Sequence, residues 1–142
     1  MTRTGAYRRQ HAELIRLAGQ LTARLAPEAP GWDPRPAYDA LGDLASSLRT
    51  HLDQEDAELY PDLLRHPDPA VRDLARTFQD EMGRIHGDFE AVLGRWPRPE
   101  ALGEDPFGFA VEALSMLEVL HRRIHLEDLE LYPRVDEAPE GV

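Results

Sequence analysis

An all-α chain folded as an antiparallel, up-down four-helix bundle is the architecture this sequence predicts. Three observations carry that expectation. Four stretches repeat apolar residues in alternating steps of three and four, none reads as a β-strand, and the breaks between them are rich in proline and glycine. Helices of this kind bury their stripes most economically against antiparallel neighbours. With 142 residues, 42% of them hydrophobic, the chain is long enough for one domain with a sizeable core. We therefore expect a single domain over 1–142, a bundle core at 7–135 and a frayed tail at 136–142.

The first helix is predicted over 7–25, where Tyr7, His11, Leu14, Ala18, Leu21 and Leu25 line one face. The stretch APEAPGWDPRP then breaks it. The second runs from about Pro36 to Arg65 with Leu41, Leu44, Leu48, Leu52, Glu55 and Leu59 on its stripe, and Pro61 should kink or loosen its last turns. In HPDP, Asp68 is an N-cap and Pro69 a first helical residue. The third helix follows with Val71, Ala75, Phe78, Met82, Ile85, Phe89 and Val92, ending before the loop GRWPRPEALGEDP. There Asp105 and Pro106 repeat the cap signal and open a fourth helix with Ala113, Leu117, Leu120, Ile124, Glu127 and Leu131. Trp32 and Trp96 fall in the connections, where such residues cap the ends of a core. EDAELYP at 55–61 returns as EDLELYP at 127–133. Two similar helical hairpins related by a pseudo-twofold axis account for the echo.

Composition removes several functions. Sixteen basic residues (Lys and Arg together) against 27 acidic give a net charge of −11, a field that repels phosphate backbones and argues against nucleic acid as a partner. Zero cysteines exclude disulfides, thiolate catalysis and cysteine metal sites, so any metal must be held by histidine and carboxylate. No phosphate-binding glycine loop or hydrolase serine elbow occurs. The N-terminus lacks the apolar segment of a signal peptide, and no apolar run approaches about 18 residues, so we expect a soluble, cytoplasmic protein without a membrane partner. No extra apolar stripe announces self-association, and the oligomeric state stays open.

Charge on the buried stripes is the informative feature. At about 100° per residue, His11 lies within roughly 30° of the centre of its apolar face and Glu55 within roughly 20°. His51 and Glu127 fall about 40–60° off centre, and Glu81 and His86 flank the third stripe at about 70° on opposite sides. His121, at about 80°, is the better inward candidate of the fourth helix, and His125, at about 120°, faces out. An unpaired buried carboxylate costs on the order of several kcal/mol. His51 and Glu55 stack one turn apart and can reach a single point between helices. With His11 and Glu127, the bundle midplane collects nitrogen and oxygen donors of the kind iron or manganese accepts.

His11, then His51 and Glu55 followed by LYP, then a second ELYP helix, resembles the hemerythrin-like (HHE, cation-binding) family across essentially residues 7–135. The resemblance implies a four-helix bundle with a non-haem diiron centre that binds dioxygen or nitric oxide or serves iron and stress responses. It makes His11 the first-helix ligand, His51 a terminal ligand, and Glu55 and Glu127 bridging carboxylates. It also places Met82 and Arg123 where the family carries histidines. His86, four residues after Met82, is then a substitute donor, and Glu81 completes a carboxylate-richer site. The expected metal set is His11, His51, Glu55, Glu81, His86 and Glu127. Iron is the expected metal, in a di-metal site, with manganese or zinc as alternatives. Three functions follow: a hemerythrin-like protein that binds or senses dioxygen, nitric oxide or iron; a diiron oxidase or oxygenase acting on a small substrate; or a metal-free bundle serving as a regulatory interaction module.

Overall fold

The computed structural model describes residues 3–137, and every regular element among them is helical. Helix α1 spans Gly5–Ala23 and α2 spans Arg35–Gln54. Between them, Gly31 takes the left-handed conformation at φ 69°, which glycine adopts without a Cβ penalty. Trp32 closes the connection by donating its indole N–H to the Arg24 carbonyl at 3.0 Å. Helix α2 runs on through one π-helical turn, Glu55–Leu59, into the short α3, Tyr60–Leu63.

Helix α4 covers Pro69–Arg95, and its Asp68 cap accepts the Ala70 N–H at 2.9 Å. Helix α5, Pro99–Glu104, stands where a loop was expected; six residues are too few to display a periodicity, and its fully buried Leu102 pins it to the core. Helix α6 spans Pro106–Leu126, capped by Asp105, which accepts the Gly108 N–H at 3.0 Å. It too continues through a π turn, Glu127–Leu131, into α7, Tyr132–Glu137.

Helix α1 packs against α2 and α6, and α4 packs against the same two, which closes a four-membered ring. Apolar side chains fill it in two clusters. The larger holds Leu14, Leu21, Leu44, Leu48, Phe89 and Leu117; the smaller holds Leu59, Leu63, Ala75, Phe78, Leu131 and Val135 at the other end. Trp96 closes the larger one with its ring edge-on to Phe109, centroids 5.4 Å apart.

The two π turns explain the echo in the sequence. Pro61 and Pro133 bring no N–H, and a proline ring crowds the carbonyl four residues earlier. The turn before each proline widens by one residue. The Tyr60 N–H then reaches the Glu55 carbonyl and the Tyr132 N–H the Glu127 carbonyl. Residues five apart sit about 140° apart on a regular α-helix, but a π turn stacks them. Glu55 and Tyr60 therefore both face inward, as do Glu127 and Tyr132.

Two expectations change here. Asp136 and Glu137, assigned above to the frayed tail, belong to α7, and Asp136 accepts hydrogen bonds from the Thr4 hydroxyl at 2.8 Å and the Thr4 N–H at 3.2 Å; the rest of that tail, 138–142, lies outside the described residues. The outer face of α6 also carries more apolar surface than its pattern suggested, with Phe107, Val111, Leu114 and Val119 exposed.

Candidate metal centre

His11, His51, Glu55 and Glu127 form a polar layer between the two apolar clusters, each at most 1% exposed. Helix α1 supplies His11, the end of α2 supplies His51, and the two π turns open with Glu55 and Glu127. His11, His51 and Glu127 each offer a ligand atom, all within 4.8 Å of one another. His11 Nε2 lies 3.2 Å from His51 Nε2 and 3.1 Å from Glu127 Oε1. His51 Nε2 lies 2.9 Å from Glu55 Oε1.

The far side of each imidazole decides what the near side can do. His11 Nδ1 is 2.8 Å from Asp128 Oδ1, and a carboxylate only accepts, so the ring proton sits on Nδ1. His51 Nδ1 is 2.6 Å from the Gln10 amide oxygen. Gln10 in turn gives its amide N–H to Gln54, which fixes its oxygen toward His51. Both Nε2 atoms thus turn lone pairs toward the same small space. Glu55 Oε1 is buried there with no hydrogen-bond donor among the described residues. The Tyr132 hydroxyl lies 3.1 Å from His11 Nε2, yet two lone pairs and two carboxylate oxygens this close are repulsive unless a proton or a cation lies between them. Outward acceptors on ligating imidazoles are the usual supports of a metal site, so the donor set fits a cation.

Two tyrosines complete the layer across the pseudo-twofold. Tyr60 donates its hydroxyl to Glu127 Oε2 at 3.1 Å, and Tyr132 donates to Glu55 Oε2 at 2.6 Å. Each tyrosine serves the glutamate of the other hairpin. Burial, followed by the negative charge of Glu127 and Glu55, pushes both hydroxyls far above the ordinary phenol range, so they stay protonated donors. Burial also pushes the Glu127 carboxyl up; the His11 hydrogen bond pulls the other way and Glu55 adds to the rise. For His11, burial works downward, but Glu127 and Asp128 outweigh it and the net direction is up. Both shifts favour the protonated form of their own group.

Glu81 and His86 are not brought to this layer. Glu81 is drawn off by Arg123, with which it forms an ion pair, and the Arg123 guanidinium lies over the Phe78 ring, 4.9 Å from its centroid. His86, 38% exposed, pairs with Glu90 at 3.3 Å along its own helix. His121 and His125 are both exposed. Met82 faces inward and is buried. Gln10, Asp128, Tyr60 and Tyr132 are site residues that helical periodicity misses. The repeat EDxELYP holds the signal for three of them, because Asp128 and both tyrosines lie inside it. A surface pocket of about 180 Å³, lined by Gln10, Glu13, Ser46, Ser47, Thr50 and His51, approaches the cluster from the α1–α2 side.

The family model for the hemerythrin HHE cation binding domain matches residues 2–135. No match was found among curated proteins or among solved structures.

Proposed function

We propose, on the premise that the chain belongs to the hemerythrin HHE cation-binding family, that its buried layer is an iron centre that binds or senses dioxygen or nitric oxide. The observation that carries this reading is the pair of inward Nε2 atoms 3.2 Å apart, each aimed by an outward acceptor and each facing a buried carboxylate oxygen. His11, His51, Glu55 and Glu127 would hold the ion. Iron supplies, when bound, a redox-active acceptor for a small diatomic ligand; nitrogen and carboxylate donors suit it, and manganese or zinc as well. The protein contributes the rest. Asp128 and Gln10 aim the imidazoles, Tyr60 and Tyr132 hold the carboxylates, and the two apolar clusters keep bulk water from the layer. The pocket beside His51 offers a small molecule a way in. Among the described residues no helix is long and apolar enough to cross a membrane, and the acidic surface favours arrival of cations.

A second reading, an oxidase acting on a small substrate, is favoured by one observation: carboxylates match histidines in number within the layer. Anaerobic protein loaded with ferrous iron separates the two. A visible spectrum that changes with nitric oxide or dioxygen and recovers when the gas is removed supports binding or sensing. Turnover of an added reductant supports the oxidase, and protein that retains no iron contradicts both.

A further inference from the structure

We infer that the layer holds one metal ion, not the pair that the family resemblance implies, and that its second half is closed by tyrosine hydroxyls and short of nitrogen donors. The inference rests on the reading of the layer as a metal centre. A carboxylate that bridges two ions gives one oxygen to each. Here Oε1 of Glu127 and Oε1 of Glu55 face the histidines. Their Oε2 atoms are already taken, by Tyr60 at 3.1 Å and Tyr132 at 2.6 Å. Both tyrosines are at most 1% exposed, so no solvent position competes for those hydroxyls. The oxygens a second ion would need each already accept a buried hydroxyl, and a second ion would have to compete with it.

The opposite wall confirms the asymmetry of the donors. Phe78, Met82 and Ile85 are the buried α4 residues at this level, and the one heteroatom among their side chains is the Met82 thioether, a soft ligand suited to other metals. His51 stands one turn before Glu55; at the same place in the repeat, one turn before Glu127, stands Arg123. Its side chain is only 17% exposed and is held by Glu81 and Phe78. A guanidinium in the place of an imidazole offers a second cation no lone pair. The outward carboxylates diverge in the same way: Asp128 holds the His11 ring, whereas Asp56 at the matching position accepts from the Gln79 amide at 3.3 Å. Two histidines and two singly engaged glutamates suffice for one ion and leave positions open for a small ligand.

Stoichiometry tests this directly, without any activity assay. Metal-free protein is titrated anaerobically with Co(II), followed by its visible absorption and by elemental analysis after desalting. A break at one equivalent that disappears in Glu127→Ala is the expected result. Ferric-loaded protein should likewise show the magnetic resonance signal of an isolated high-spin ion. Adding donors on the poor side in the double variant Met82→His with Arg123→His should raise retention above one equivalent. A break at two equivalents in the unaltered protein, or a magnetically coupled ferric pair, overturns the single-ion assignment and leaves the proposed function standing. No retained cobalt overturns both.

Discussion

Replacing Asp128 with alanine removes the acceptor that orients His11 and leaves every metal-facing atom in place. The bond removed is 2.8 Å long, from Nδ1 to Oδ1, and joins a ring that is 1% exposed to a carboxylate that is 31% exposed. Losing the outer partner of a ligating histidine costs about 10–100-fold in metal affinity, or about 1.4–2.7 kcal/mol. Asp128 also lies 3.8 Å from an Arg8 nitrogen; this half-exposed ion pair contributes little by itself. Asp128→Asn keeps an acceptor oxygen beside Nδ1 and should fall between the two. Affinity is measured by competition with a chromophoric chelator for Co(II), and far-ultraviolet circular dichroism checks that the helices survive. The predicted order is unaltered protein, then Asp128→Asn, then Asp128→Ala. Wild-type affinity in a folded Asp128→Ala variant would refute the claim that His11 is a positioned ligand.

Three other perturbations probe different parts of the molecule. Glu55→Ala should abolish metal retention with the helices intact, read by elemental analysis and circular dichroism; retention at the original stoichiometry would remove Glu55 from the site. Tyr132→Phe takes the donor from a buried carboxylate and should lower the stability of the metal-free protein by about 1.5–3 kcal/mol, measured as a shift of the denaturant midpoint. Leu48→Ala, at a fully buried position of the larger cluster, should cost about 2–5 kcal/mol in the same assay while leaving metal stoichiometry unchanged.

The helices, their caps and the inward placement of His11, His51, Glu55 and Glu127 were legible because periodicity reports which face of a regular helix is buried. The expectation failed where the helix stops being regular. Tyr60 and Tyr132 fall about 140° around from Glu55 and Glu127 at 100° per residue, and only the extra residue of each π turn swings them beneath those glutamates. Pro61 announced a disturbance, but a kink and a π turn look alike in sequence. Glu81 and His86 failed for another reason. A flanking position can lean toward the core or toward an ion partner, and Arg123 and Glu90 settled the choice. Gln10 and Asp128 act through the backs of the imidazoles, and nothing in a hydropathy pattern distinguishes an outer partner from an ordinary surface residue.

Anomalous scattering from crystals grown with Co(II) tests the central claim most directly. The account predicts a strong peak between His11 Nε2 and His51 Nε2, flanked by Glu55 and Glu127. A protein whose cobalt peaks all lie on its acidic surface, with the buried layer holding none, would contradict it.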